Sequence, residues 1–216
     1  MTIKIKGVNT VIDISSITSY EVVIMNSKLF YQVGKELSLL DSDEIILYNG
    51  DIIDNEKHLI PLTYLFNIDS NNKKALTATY KLIAKNMNSE ISNDLNEINI
   101  KILELMMKIS YDFNCETDYD DSIKIEDLLS TYSFKFYLED ESFLKIFITY
   151  VKSLINYRNI KAIFVYDLGS FVNQEEFILL INELKYLGVS IINLTGNKSN
   201  LLFENRIIID NDLCEY

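Results

Sequence analysis

An α/β fold interrupted by a helical insertion is what the sequence predicts, and three observations predict it. Short apolar, β-branched runs are followed by helix-period segments near both ends of the chain, the middle third is written in helical period, and little punctuation lies between. The chain has 216 residues, 48% of them hydrophobic, with six Gly and one Pro. That is enough apolar material to bury a core as one elaborated domain or a domain with an insertion, and too little Gly and Pro for a flexible linker.

The elements follow in order. Val22, Val23, Ile24 and Met25 form a strand after Glu21, and Asn26 or Ser27 then caps a helix carrying Leu29, Phe30, Val33 and Leu37. Ile45 to Tyr48 is a second strand, closed by the turn pair Asn49 and Gly50. From 72 to 88 the pattern is helical, with Leu76, Tyr80, Ile83 and Met87 on one stripe. From 91 to 111 it continues through Leu95, Ile98, Ile102, Leu105, Met106 and Ile109. A short helix begins near Ile123 and a longer one spans 143–157. The run 160–166 reads as a strand buried on both faces, followed by a helix over 174–187, and 189–194 and 206–209 complete the strands. The two ends of the chain therefore build one α/β sheet. The expected division is 1–68 and 133–216 for the α/β domain and 69–132 for the inserted helices.

Several function classes lose support at once. No run approaches the ~18 to 20 apolar residues that span a bilayer, and the first residues lack a secretory apolar stretch, so the expected location is the cytoplasm, with no membrane partner. Cys115 and Cys214 lie far apart and match neither a disulfide framework nor a metal spacing. The connection Met25, Asn26, Ser27, Lys28 stands where a phosphate loop would, but it has no glycine, and GxxxxGK[ST] occurs nowhere, so no nucleotide is expected. Asp167 ends an apolar strand and reads as a turn residue before Leu168 and Gly169. His58 is the only histidine and has no nucleophile motif beside it, which leaves acid and base chemistry to carboxylates. The expectation is a protein without catalysis of its own.

The charge is −12 overall but unevenly placed, nearly neutral over 61–110 and strongly acidic over 111–145. Glu116, Asp118 and Asp120, two residues apart, put carboxylates on one side of a loop, with Asp121, Glu126 and Asp127 close behind. The spacing is like the start of a calcium loop, although Asp121 replaces the glycine that an EF-hand needs at its sixth position. Two readings stand side by side: a solvated acidic loop in which Asp121 or Ser122 caps the next helix, or a calcium site, since every ligand on offer is a hard oxygen.

The basic residues are equally local. No acid occurs from Ser70 to Ser89, where Lys73, Lys74, Lys81 and Lys85 lie. Steps of seven and four place Lys74, Lys81 and Lys85 on one helix face, about opposite Leu76, Ile83 and Met87. Such a face is either solvated or offered to anions. A second acid-free stretch within 142–166 carries Lys145, Lys152, Arg158 and Lys161, although Glu141 directly precedes it. One copy brings few lysines to a duplex, where salt-sensitive binding commonly uses ~6 to 10 phosphate contacts. Copies arranged in a closed ring would pool them.

The stretches 117–129 (TDYDDSIKIEDLL), 160–177 (IKAIFVYDLGSFVNQEEF) and 22–37 (VVIMNSKLFYQVGKEL) resemble the CRISPR-associated adaptation protein of type II-A systems, the Csn-two family. The order and spacing of elements are similar over nearly the whole chain. The resemblance implies a degenerate P-loop-like α/β head, an inserted helical leg and a homotetrameric ring. It implies lysines in the ring's hole that hold ends of double-stranded DNA, and calcium bound near the leg. It further implies spacer acquisition alongside the CRISPR adaptation integrase and the type II effector nuclease. By position in the acidic loop the calcium candidates are Glu116, Asp118, Asp120, Asp121 and Glu126. By position on the leg helix the DNA candidates are Lys73, Lys74, Lys81 and Lys85. Two other classes remain in view: a nuclease using the same carboxylates with magnesium or manganese, and a protein-interaction module whose helical pair docks another protein.

Overall fold

The computed structural model describes residues 1–39, 45–113, 118–120, 122–140 and 142–216. The chain divides into two compact units, Met1–Ser70 with Leu138–Tyr216, and Asn71–Tyr137.

The first unit is α/β, as the sequence predicts. Its strands are β1 (Thr2–Ile5), β2 (Ile12–Asp13), β3 (Ser19–Ile24), β4 (Ile45–Asn49), β5 (Asp51–Ile53), β6 (Leu59–Leu62), β7 (Ala162–Tyr166), β8 (Ser190–Thr195) and β9 (Asn205–Ile209). A five-stranded sheet runs in the order β6-β7-β8-β3-β9, with every pair parallel. It agrees with the P-loop-like α/β head that the resemblance implies. Parallel strands buried on both faces need continuous apolar sequence, and β7 (AIFVY) and β8 (SIINLT) supply it. Pro61 sits in β6, an edge strand, where a missing N–H is tolerated.

A second, antiparallel sheet of order β2-β1-β4-β5 was not expected. Its strand β4, expected in the one α/β sheet, pairs instead with β1 and, through a hairpin at Gly50 (φ +86°), with β5. In β1 the period is two: Ile3 and Ile5 are buried while Thr2 and Lys4 face outward. Ile3, Ile5, Ile45 and Leu47 then join Val22, Ile24, Phe164 and Leu194 of the parallel sheet in one core.

Helix α1 (Ser27–Leu39) starts where Asn26 Oδ1 accepts the backbone amides of Lys28 (3.2 Å) and Leu29 (3.1 Å). It sinks Val33 and Leu37 into that same core. Gly34 allows close approach to β7: the atoms of Tyr166 lie 3.3 Å from where a Cβ would stand, and the Tyr166 hydroxyl donates to the Gly34 carbonyl at 3.0 Å. The alternate strand residues Ile163, Val165 and Ile191 are as deeply buried. Helices supply this layer too. After the short α2 (Asn55–His58), α6 (Phe143–Tyr157) buries Phe147, Val151 and Leu154, and α7 (Gln174–Tyr186) buries Phe177, Leu180 and Leu184. Each fully buried aromatic contributes about 1.5–3 kcal/mol. At the start of α7, Asn173 and Glu176 form a reciprocal capping box.

The second unit is helical, with α3 (Lys73–Lys85), α4 (Ser89–Phe113) and α5 (Ile125–Thr131). Asn72 caps α3 by accepting the Ala75 amide at 3.0 Å, and Asn88 does the same for α4 through Ile91 at 2.8 Å. Segment 132–137 belongs with these helices because Asn71 exchanges two hydrogen bonds with the Phe136 backbone, at 2.8 and 3.1 Å. Tyr80 also donates to the Phe134 carbonyl. Among the described residues no helix is long and apolar enough to cross a membrane.

Candidate functional site

Helix α3 turns its small and aromatic residues Ala75, Ala78 and Tyr80 inward, whereas Lys73, Lys74, Lys81 and Lys85 are exposed. The 3.6-residue period forces that separation, since Lys74, Lys81 and Lys85 differ by whole turns. The exposed side of α3 therefore carries four ammonium groups along a stretch without a carboxylate.

Two of these lysines do more than lie on a surface. Lys73 and Lys81 line a cavity of about 660 Å³ together with Lys124, which precedes α5, and Lys135, on the segment that returns past α3. Thr77, Ser130 and Ser133 add hydroxyls, while Leu76 and Tyr80 give an apolar wall. Lys135 is brought there by the Tyr80–Phe134 and Asn71–Phe136 hydrogen bonds, which fix the chain on either side of it. Among the described residues the carboxylate on this lining is Glu126, beside the four lysines.

The structure thus places Glu126, expected as a calcium ligand, among lysines. Glu116 and Asp121 lie outside the described residues. Asp118 and Asp120 are exposed. Asp120 lines a different cavity, of about 240 Å³, with Asn99, Ile102, Leu103, Ser122, Ile123 and Asp127. This loop is held to α4 by the Asn99 carboxamide, which accepts the Ile123 amide at 2.8 Å and donates to the Ile123 carbonyl at 3.3 Å. Among the described residues no three carboxylates, thiols or imidazoles come together as a metal site. The pair sharing a cavity is Asp120 with Asp127, hard-oxygen donors that would supply part of the six to eight oxygens calcium takes.

Sequence reasoning missed Lys124 and Lys135 as cavity residues, and passed over Asp127 in favour of Glu126. Helical period carried the first half of the signal, because a residue facing Lys81 on α3 would face the same space. The second half depends on chain return over 54 and 65 residues, which no local pattern records.

The carboxyl ends of the parallel strands form a second region of interest. After β3, the Asn26 side chain occupies the first amides of α1, the donors that a phosphate would otherwise need. After β7, Asp167 adopts a left-handed conformation (φ +49°). It accepts the Ser170 hydroxyl at 2.7 Å, opening a 3₁₀ turn over Leu168–Ser170, as its reading as a turn residue predicts. Beside it lies a polar cavity of about 590 Å³ bounded by Ser170, Asn173, Asn197 and Lys198. His58 donates from Nδ1 to the Asn159 carbonyl at 2.8 Å, a structural tie between the end of α2 and the approach to β7. Cys214 is an exposed free thiol, and Cys115 lies outside the described residues.

No protein-family model matches the chain, and no curated protein matches it.

Proposed function

We propose that the chain is a cytoplasmic, non-catalytic DNA-binding protein that assembles as a calcium-stabilised homotetramer and grips the ends of double-stranded DNA. Its process is CRISPR spacer acquisition, in company with an adaptation integrase and a type II effector nuclease. The observation that carries the reading is α3, whose four exposed lysines lie on a stretch with no acid inside a chain of net charge −12. Phosphate contacts of this kind position a duplex without reading its bases. The resemblance of 22–37, 117–129 and 160–177 to the type II-A adaptation protein supports the same assignment.

Helix α4 supports self-association. It runs 25 residues with none buried. Ile91, Leu95, Ile98, Ile102, Leu105 and Ile109 follow one another at alternating steps of four and three, the spacing of a helix that pairs with another helix. The calcium part of the reading rests on the loop of Asp118 and Asp120, tied to α4 at Asn99.

Gel filtration with calcium or with EDTA, followed by duplex binding over a salt series, tests the proposal. The expected result is a tetramer with calcium that shifts linear duplex and cleaves neither linear nor circular DNA with magnesium or manganese. A monomer indifferent to calcium and to duplex ends overturns it. The same exposed stripe on α4 favours a second reading, an interaction module that docks another protein and never touches DNA. Oligomerisation or partner capture without any salt-dependent shift of duplex would select it.

A further inference from the structure

The cavity between α3, the approach to α5 and the 132–136 return has properties that a duplex-binding face does not require. Its volume of about 660 Å³ falls in the range of roughly 300–1,000 Å³ typical of small-molecule sites. That is room for a ligand of nucleotide size and far too little for a double helix. Its four lysines come from three separate chain segments, Lys73 and Lys81 from α3, Lys124 from before α5 and Lys135 from the return. A solvated helix face would not gather them. Among the described residues Lys73, Lys124 and Lys135 join Lys81 on a lining whose one carboxylate is Glu126, a setting that suits an anion of high charge density.

The donor chemistry narrows the anion. Lysine ammoniums are compact point charges with three donors each that bind phosphate without a fixed fork geometry, and several of them together suit a dianionic phosphate monoester better than a singly charged carboxylate. Arg158 and Arg206, the chain's arginines, both lie in the other unit. The hydroxyls of Thr77, Ser130 and Ser133 can donate to further oxygens, and Leu76 with Tyr80 offers an apolar wall to whatever bears the phosphate.

We infer that this cavity is a binding site for a terminal phosphate monoester on a nucleotide-sized group. The ligand is held by Lys73, Lys81, Lys124 and Lys135, and Glu126 sets the affinity by opposing it. The inference stands on the cavity and is separate from duplex binding by the exposed side of α3, although Lys73 and Lys81 serve both. The phosphate has two sources, a free mononucleotide or the 5′-phosphate of a DNA end.

Calorimetric titration of the full chain at low ionic strength with inorganic phosphate, adenosine 5′-monophosphate and adenosine tests it. Phosphate and the monophosphate bind, adenosine does not, and Lys124→Ala with Lys135→Ala weakens the monophosphate at least tenfold. The converse variant Glu126→Gln tightens it several-fold, a gain that misfolding cannot imitate. Monophosphate bound no better than adenosine, or affinity unchanged in both variants, overturns the inference. Duplexes with 5′-phosphate or 5′-hydroxyl ends separate the sources: a preference for phosphorylated ends that disappears in Lys124→Ala/Lys135→Ala assigns the site to DNA ends. Equal duplex binding with monophosphate retained assigns it to a free ligand. Should wild type fail to bind any duplex while holding the monophosphate, the DNA reading falls and this site remains.

Discussion

Glu21 lies on β3, an interior strand, with its side chain wholly buried, and it survives there because every oxygen is satisfied. One oxygen accepts from Arg206 Nε and the other from the Ser199 amide at 3.1 Å, while Arg206 Nη2 reaches the Leu201 carbonyl at 3.0 Å. The pair therefore fixes the loop after β8. Glu21→Ala strands a guanidinium that is only 25% exposed, and the expected loss is about 3 kcal/mol in a urea unfolding curve, near the lower end for breaking a buried pair. Lys152→Ala, which removes the solvent-exposed pair with Glu183 (2.8 Å), should change stability by less than about 1 kcal/mol. Acid titration offers a second check. The Lys185 ammonium, hydrogen-bonded at 2.6 Å, holds the Glu204 carboxyl below its usual range against the opposing effect of burial, with help from Thr18 and Ser19. Because the folded-state pKa is the lower one, the stabilisation is complete above the unfolded value of about 4.3 and is lost as pH falls through the folded value. Wild type should thus melt above Glu204→Gln at neutral pH, and the gap should close below about pH 4 in melting scans.

At the scale of elements, legibility follows how local the cause is. The strands at β3, β7, β8 and β9 and the helices α1, α6 and α7 could be read because β-branched runs, caps such as Asn26 and the Asn173–Glu176 box act within a few residues. The antiparallel sheet could not. Thr2–Ile5 is four residues long, and nothing in Ile45–Asn49 says whether it will pair parallel in the main sheet or antiparallel with β1. The site divides the same way. The lysines of α3 were visible from helical period, whereas Lys124 and Lys135 reach the cavity through tertiary return. Helix α4 is the element whose sequence demands more than the chain supplies. A helix within a protein is stabilised chiefly by packing an apolar face, yet among the described residues Ile98 is left 39% exposed and Leu105 53% exposed. Ile98→Asp with Leu105→Asp would place two charges in a helix-pairing seam. Light scattering should then report a smaller assembly than wild type with the circular dichroism of the monomer preserved. An unchanged assembly would mean that copies meet through another surface.

For the whole molecule the proposed function sets one constraint: an anionic subunit of net charge −12 would have to hold a polyanion through a small cationic area. Counterion release turns this into a number. The logarithm of the binding constant falls with the logarithm of salt by about 0.9 for each phosphate neutralised, so the four lysines of one α3 support a slope no steeper than about −4. A ring that brings several α3 helices to one duplex must exceed that limit, and a slope of about −6 or steeper is expected for the wild type, measured by fluorescence anisotropy on a short linear duplex. Lys74→Glu with Lys81→Glu replaces two attractions by repulsions in every copy, so affinity should fall on all sequences alike and the slope should become shallower. A slope of about −4 or shallower in wild type would confine binding to one subunit. Loss of affinity on some sequences but not others would mean that bases, not phosphates, are being read, and the pooled positive passage would have no part in the binding.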